Sequence, residues 1–166
     1  MLAVLVATSA GARELAFTAA LSGDRMPTMT GSKALGQARV LVNTETQRVD
    51  VSLDVTGLKL EDLWKNLVPA PMGPIHLHIY GSHDHSNPDS AALVFPLPYG
   101  PGYAATATGF HAEEKALPYA EGARRVNSRA SFDDFVSSPE AGRIVLNIHT
   151  NKFTEGEISG DVIPAA

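Results

Sequence analysis

Two histidines alternate with apolar residues in the run Gly73-Pro-Ile-His-Leu-His-Ile-Tyr-Gly81. Successive side chains of a β-strand point to opposite faces, so His76 and His78 leave the same face of a strand. Neutral imidazole is the commonest nitrogen ligand of zinc and copper, and such sites use about three or four protein donors. This pair on one rigid strand therefore offers two ligands to a transition metal.

A third histidine ends the apolar run Arg143-Ile-Val-Leu-Asn-Ile-His149, with the same two-residue phase. The two isoleucines and the leucine share one face of this strand, whereas Asn147 and His149 share the other. If the two strands are neighbours, His76, His78 and His149 converge, and the sequence predicts one copper or zinc ion per chain at that point. The alternative is that these histidines only decorate a solvated face of the sheet.

The donor set also bears on which metal binds and on what the metal does. The Irving–Williams order favours Cu(II) over Zn(II) at an all-imidazole site, although metal supply can override it. If the three histidines are the only protein ligands, an open position remains for water, an oxygen species or another small molecule. Three functions therefore stay open: a metal-binding domain, a copper-dependent redox enzyme, and an adhesive or interaction module in which the histidines are incidental.

Further polar residues near the two runs are candidates for additional ligands or for groups that support the ligands. His83 and His85 follow the first run in a polar loop, where either side chain can fold back as a ligand, build a second site or face solvent. His111 is interpreted as a solvated loop histidine that can also approach the same face. Glu157 either accepts the ring N–H of a histidine and so orients its imidazole, or lies on the solvated face of an edge strand. Asn147 likewise either supports a histidine or lies on a solvated face.

Composition limits the size of the domain and the class of partner. The chain has 166 residues, 44% of them hydrophobic, which suffices for one sizeable core and indicates a single domain over residues 13–166. Lys and Arg number 13 against 18 Asp and Glu, a net charge of -5 without a basic stripe, which argues against nucleic acid as a partner. The sequence also has no G-x-S-x-G elbow, no phosphate-binding glycine loop, no H-E-x-x-H and no cysteine nucleophile.

Two-residue periodicity predicts an all-β fold, an antiparallel β-sandwich with one or two short helices. Strict alternation over 48–55 places four apolar residues on one face, and Asn43-Thr-Glu-Thr46 forms the turn before this strand. Two long connections remain, 80–90 and 111–129, where functional variation is expected. Strands are predicted over 14–21, 33–42, 48–55, the first histidine run, 91–97, 103–110, the second histidine run and 158–163.

Two segments break this period and are predicted to be helical. Residues 58–67 hold the only tryptophan, Trp64, which is interpreted as a core residue of a short helix over the end of the sandwich. Residues 131–138 begin with Ser131, followed by Asp133 and Asp134, where a cap and acidic side chains satisfy free N–H groups and suit the helix dipole.

The N-terminal run from Leu2 to Ala12 is apolar but too short to span a bilayer. It fits the apolar part of a secretory signal that ends in Ala10-Gly-Ala12, with Arg13 as the first residue after cleavage. Only Met1 precedes the run, so a start further upstream and an ordinary buried strand are the alternatives. The sequence thus predicts an exported protein, periplasmic or secreted, without a transmembrane anchor.

The histidine runs and their neighbours resemble the CHRD domain, a family named after chordin. Residues 75–81, followed by the apolar segment 92–97, resemble its first signature, in which a His-x-His strand precedes an apolar strand ending in Leu. Asn147-Ile-His149-Thr150 and Gly156-Glu157-Ile158-Ser159-Gly160 resemble the second signature, a strand ending in N-x-H-T followed by G-E-I-x-G. The resemblance covers roughly residues 13–163.

This resemblance implies a fold and supports a function. CHRD domains are regarded as related in fold to the immunoglobulin-like sandwich of Cu/Zn superoxide dismutase, whose copper is also held by a His-x-His strand. Residues 73–81 resemble the G-x-H-x-H-x-x-G portion of that enzyme, but the lack of cysteine excludes the enzyme's intrachain disulfide. The resemblance therefore supports a metal site more strongly than dismutation, and it implies export, which is typical of CHRD proteins.

Overall fold

The computed structural model describes residues 13–85, 87 and 90–166. This part of the chain contains ten strands and two short helices. The run predicted to be an export signal lies outside these residues. The helices are α1 (Tyr119–Arg125) and α2 (Phe132–Ser137), and a 3-10 turn spans Leu60–Asp62. The strands are β1 (Glu14–Ser22), β2 (Leu35–Asn43), β3 (Arg48–Thr56), β4 (Ile75–Ile79), β5 (Ala92–Leu97), β6 (Tyr103–Ala105), β7 (Gly109–Pro118), β8 (Ile144–Ile148), β9 (Ile158–Asp161) and β10 (Ile163–Pro164).

The strands form one antiparallel sheet that curls into two layers. Its order is β5-β4-β8-β9-β1-β2-β3-β7-β6, and β10 also pairs with β1. Only Ser22 and Ser159 pair between β1 and β9, whereas β1 and β2 pair along their whole length, from Glu14 with Asn43 to Ser22 with Leu35. We call β5, β4, β8 and β9 the histidine layer, and β1, β2, β3, β7 and β6 the long-strand layer.

One hydrophobic core lies between the two layers. In the long-strand layer alternate residues of β2 and β3 face it, so Val40 and Val51, which pair across the strands, are both 1% exposed. In the histidine layer Ile75, Leu77 and Leu146 face the same core and are fully buried. The β-period then directs the residues between them, the histidines included, to the opposite face. The predicted all-β sandwich is confirmed, and its core determines where the histidines point.

The segment 58–67 differs from the helix predicted for it. Its helical part is limited to the 3-10 turn, after which Leu63 is extended and pairs with Thr150 as an isolated bridge. The N–H of Trp64 donates to the carbonyl of His149 at 3.0 Å, and the carbonyl of Trp64 accepts from the N–H of Leu67 at 2.9 Å, so a separate turn follows Trp64 in place of a continuous helix. Leu63 is buried in the core, but Trp64 is only half-buried and lies outside the core, so the interpretation of Trp64 as a core residue is wrong.

The segment between β5 and α2 also differs from the prediction. Strands β6 and β7 pair as a hairpin, where the sequence predicts one strand over 103–110 and a long connection over 111–129. The register of β7 against β3 shifts between Val49 and Val51, and this bulge interrupts the two-residue period that marks a strand. Helix α1 follows β7 directly, so most of the predicted connection is regular structure.

Helix α2 has the start that the sequence predicts for 131–138. The hydroxyl of Ser131 accepts from the N–H of Asp134 at 3.0 Å, and the Asp134 carboxylate accepts from the N–H of Ser131 at 3.0 Å. This reciprocal pair is a capping box, and the predicted short helix is confirmed. Within the described part of the chain, no helix has the length and the apolar character needed to cross a membrane.

Candidate metal centre

Antiparallel pairing of β4 with β8 brings the two histidine runs side by side. His76 lies opposite Asn147 and His78 opposite Val145, and His149 follows the last residue of β8. The ring centroids of His76 and His149 are 4.5 Å apart, those of His76 and His78 4.9 Å, and those of His78 and His149 6.1 Å. One ring nitrogen from each histidine lies within 4.8 Å of the other two, so a single ion can contact all three after small side-chain movements.

The face that carries the histidines is covered rather than solvated. His76 is 3% exposed and His149 is 7% exposed, and His78 is the most exposed of the three. Trp64 contributes to the cover, with its ring centroid 6.4 Å from that of His149, and so does the loop 150–157. The interpretation of these histidines as decoration of a solvated sheet face is therefore wrong.

The hydrogen bonds of the imidazoles set their tautomers. The Nδ1 of His149 donates to the carbonyl of Thr154 at 2.7 Å, and the Nδ1 of His76 donates to the carbonyl of Gly73 at 3.2 Å, because a carbonyl only accepts. Each Nε2 of these two rings then carries a lone pair. Among the described residues, the Nε2 atoms of His149 and His78 are buried without a hydrogen-bond partner. Metal-binding histidines typically combine a held ring N–H with a second nitrogen that is free for the ion.

Burial also keeps the imidazoles neutral. It lowers the pKa of His76 well below its usual range, and the neighbouring His149 and His78 lower that pKa further. Burial, and to a smaller extent the neighbouring His149, lower the pKa of His78 to about 4, and burial is the main reason why the pKa of His149 is lowered. Unprotonated imidazoles with free nitrogens are the state that a metal ion needs, since protons compete for the same lone pairs.

Comparison with protein families covers most of the chain, both histidine strands included. The model of the CHRD domain matches residues 17–162. The chain belongs to the CHRD domain family. This result agrees with the resemblance of the two signatures, and a comparison with curated proteins finds no match. Membership identifies the CHRD domain and leaves its chemistry to be argued from the site.

The loop after β4 places its two histidines outside the group of three. His85 is 3% exposed; its Nε2 lies 2.9 Å from the carbonyl of Gly142 and its Nδ1 3.4 Å from the carboxylate of Asp161. Its ring packs against Tyr80 at a centroid distance of 4.8 Å, whereas His83 is exposed. The loop thus folds back onto the CHRD domain, but the ligand group formed by the described residues includes neither histidine.

His111 lies on the other layer, in β7 rather than in a loop. It pairs across the strands with Asp54, and its Nδ1 donates to the Asp54 carboxylate at 2.8 Å. Because Asp54 alternates with the core residues Leu53 and Val55, both side chains belong to the outer face of the long-strand layer. The interpretation of His111 as a loop histidine that can approach the metal face is wrong.

Glu157 contacts hydroxyls rather than an imidazole. Its carboxylate accepts hydrogen bonds from Ser32 Oγ and Thr150 Oγ1, both at 2.7 Å. Glu157 therefore does not accept the ring N–H of a histidine, as one of its two predicted roles requires. At His149 the carbonyl of Thr154 accepts this N–H instead. The alternative of a wet face on an edge strand is also wrong, because Glu157 is only 7% exposed.

Asn147 lies next to the histidines and against the loop that follows β8. Its Nδ2 donates to the carbonyl of Glu155 at 3.3 Å, and its Oδ1 is buried without a partner among the residues described. A side chain at Gly156 would collide with the Asn147 amide, and the φ of Gly156 is +125°. Only glycine therefore lets this loop close over the site.

The contacts of three neighbours of the histidines cannot be predicted from the sequence. Thr154 acts through its backbone carbonyl, which every residue type supplies, so no sequence signal marks it. Thr150 belongs to the N-x-H-T signature, which indicates its importance but not its contact with Glu157. Trp64 lies near His149 because Leu63 is extended and pairs with Thr150, a feature that the helix-like pattern of 58–67 conceals.

Proposed function

We propose that this CHRD domain binds one transition metal ion through the ring nitrogens of His76, His78 and His149. The observation that carries the proposal is the pair of buried Nε2 atoms, in His78 and His149, that have no partner among the described residues. Leaving a buried polar atom unpaired costs about 1–3 kcal/mol, and coordination of an ion removes that cost. The carbonyls that hold Nδ1 of two of the rings support the same role.

Copper is the first choice for this ion, and zinc is the second. The group consists of three neutral nitrogen donors without a carboxylate or thiolate. The Irving–Williams order favours Cu(II) for such a donor set, whereas zinc is also bound by three histidines when a non-protein ligand completes its shell. We therefore expect copper to displace zinc when both metals are supplied.

A copper-dependent redox reaction is the second candidate function, and the unequal exposure of the three histidines supports it. Three protein ligands leave one position for a small molecule, such as an oxygen species. His78 is the most exposed of the three, so such a molecule would approach the ion on the side of His78. Turnover by the copper-loaded protein that is lost in His78→Ala supports an enzyme, whereas stoichiometric binding without turnover supports a metal-binding domain.

Export of the protein is a separate part of the proposal. The apolar run 2–12, which ends in Ala10-Gly-Ala12, supports it. Sequencing the N-terminus of the protein purified from its native cells should find Arg13 or a close neighbour. Recovery of an intact Met1 from those cells would contradict export through this segment.

Elemental analysis tests the metal proposal. The purified protein is exposed to equal concentrations of copper, zinc, iron and manganese, freed of loosely bound ions and analysed. We expect a stoichiometric amount of metal, copper in preference to zinc, lost in His78→Ala and retained in His111→Ala, a control on the outer face of the other layer. A folded wild-type protein that retains no metal would contradict the proposal and leave an adhesive or interaction module as the function.

A further inference from the structure

Glu157 is a buried carboxylate whose partners are neutral. It is 7% exposed, and none of the ion pairs among the described residues includes it. Its Oε1 accepts from the hydroxyl of Ser32 and its Oε2 from the hydroxyl of Thr150, both at 2.7 Å. A buried charge is costly unless hydrogen bonds replace its water, so these two hydroxyls hold the carboxylate in one orientation.

The two hydroxyls belong to two loops that meet at Glu157. Ser32 lies between β1 and β2, and Thr30 of the same loop donates to the backbone carbonyl of Glu157 at 2.7 Å. Thr150 lies in the loop from β8 to β9, directly after His149. One residue thus joins both loops on the side of the layer that carries the histidines.

The contact with Thr150 continues to His149 through a short turn. Thr150 Oγ1 accepts from the N–H of Phe153 at 3.1 Å, and the N–H of Thr150 donates to the carbonyl of Phe153 at 3.2 Å. The next residue, Thr154, presents its carbonyl to Nδ1 of His149 at 2.7 Å. Because a carboxylate only accepts, the hydroxyl of Thr150 points its hydrogen at Glu157 and leaves a lone pair of its oxygen for the N–H of Phe153.

We propose that Glu157 is a positioning residue of the metal centre. Through Thr150 it fixes the turn that presents the Thr154 carbonyl, and this carbonyl keeps the ring proton of His149 on Nδ1 and its Nε2 free. The consequence for metal affinity rests on the proposed function, whereas the consequence for the tautomer of His149 does not. Removal of groups that orient metal-binding histidines weakens metal binding by about 10–100-fold.

Nitrogen-15 NMR of the metal-free protein measures the tautomers, because protonated and unprotonated ring nitrogens resonate far apart. In the wild type we expect His149 and His76 to be protonated at Nδ1. In Glu157→Ala and Thr150→Val we expect His149 to become a mixture of both tautomers, whereas His76, whose Nδ1 bonds to Gly73, stays unchanged. Thr150→Val preserves the shape of the side chain and carries the test if Glu157→Ala does not fold.

Ser32→Ala is the matched control, because it removes the other hydroxyl from the same carboxylate. Thr150 still donates to this carboxylate and Thr30 still holds the backbone of Glu157, so the turn at Thr154 is expected to stay intact. We expect the His149 tautomer to stay wild-type in Ser32→Ala. The same is expected in Glu155→Gln, which removes an exposed charge that acts on His149. The proposal is overturned if His149 stays wholly protonated at Nδ1 in folded Thr150→Val, or if Ser32→Ala changes its tautomer equally.

Zinc affinity of the same variants, measured by competition with a chelating dye, tests the consequence for the ion. We expect about a 10–100-fold loss in Glu157→Ala and Thr150→Val, and little change in Ser32→Ala. An unchanged zinc affinity in a variant whose His149 tautomer has changed would overturn the positioning role. If the wild-type protein has the expected tautomers but binds neither zinc nor copper, the proposed function is contradicted. The inference that Glu157 controls the tautomer of His149 is not affected by that result.

Discussion

The outer faces of the two layers carry histidines in opposite situations. On the long-strand layer the side chain of His111 is 31% exposed, with Nδ1 2.8 Å from the carboxylate of Asp54 and Nε2 3.7 Å from that of Glu113. On the histidine layer His149 is 7% exposed, with Nδ1 bonded to a backbone carbonyl and Nε2 without a partner among the described residues.

This difference separates a candidate ligand from an ordinary surface histidine. The Nδ1 of His111 already bonds to the Asp54 carboxylate and the side chain is 31% exposed, so an ion would have to compete with that carboxylate and with solvent. His149 is buried and its Nε2 has no partner among the described residues, so an ion would add a bond there without displacing a protein group. A buried ring nitrogen without a partner, more than the residue type or the spacing, therefore distinguishes the candidate metal site from the surface around His111.

The largest expected effect is the loss of metal binding when a histidine of the covered face is removed. The ring of Trp64, the only tryptophan, lies 6.4 Å from that of His149, so a paramagnetic Cu(II) ion at the site should quench its fluorescence. We expect quenching that is complete at equimolar copper in the wild type and in His111→Ala, and absent at that ratio in His149→Ala. Equal quenching in His149→Ala would mean that copper binds elsewhere.

The second expected effect is a loss of stability of the metal-free protein at acidic pH. The pKa of His78 is about 4 in the folded protein, against 6.5 for an unperturbed histidine. Below about pH 6.5 the histidine is protonated in the unfolded chain but stays neutral in the folded chain. The free energy of unfolding therefore falls by about 1.4 kcal/mol per pH unit for each such imidazole as the pH is lowered. Urea unfolding from neutral pH down to about pH 4 measures this slope.

The matched variant for this pH dependence is His78→Leu. Its slope should be shallower than that of the wild type by the contribution of one histidine. Metal should protect the wild type over the same range, because a coordinated nitrogen cannot take up a proton. An equal slope in the wild type and in His78→Leu, both without metal, would show that His78 is not held neutral by burial.

A smaller effect is expected on the stability of the metal-free protein at neutral pH. His78→Leu removes a buried nitrogen that has no partner among the described residues, so the free energy of unfolding should rise by about 1–2 kcal/mol. With zinc present the order should reverse, because only the wild type gains binding energy in the folded state. Denaturation with chelator and with zinc measures both; a destabilised His78→Leu in chelator would show that His78 is satisfied without an ion.

The smallest effect is expected at the exposed histidine of the comparison. The Asp54 side chain is 78% exposed, and exposed ion pairs contribute about 0.2–1 kcal/mol to stability. A double-mutant cycle of His111→Ala and Asp54→Ala should give a coupling energy in this range, without a change in metal content. Loss of metal in either single variant would connect this face to the site and remove the contrast between the layers.

The alternation of side chains along the sequence predicts much of this arrangement. The two-residue period along β4 and β8 is enough to place His76, His78 and His149 opposite the core, and the two signatures lead to the correct family. That β4 and β8 are neighbours does not follow from the period, because it depends on pairing between segments about 70 residues apart, and local patterns do not encode such pairing.

The surroundings of the three histidines are less predictable from the sequence than the histidines themselves. Cover and hydrogen bonds come from residues far away in the chain, such as Ser32 and Trp64, or from a backbone carbonyl, as at Thr154. Local patterns carry no record of such long-range contacts. The contacts of Glu157 illustrate this: its alternation suggests a solvated strand face, whereas hydroxyls from two different loops donate to its buried carboxylate.

X-ray absorption spectroscopy of the metal-loaded wild-type protein tests the central claim most directly, because it reports the ligands of the bound ion. We predict a first shell that contains three imidazole nitrogens at about 2.0–2.1 Å, together with the outer-shell scattering typical of imidazole rings. A first shell of oxygen donors alone, or a folded protein that retains neither copper nor zinc for the measurement, would contradict the account.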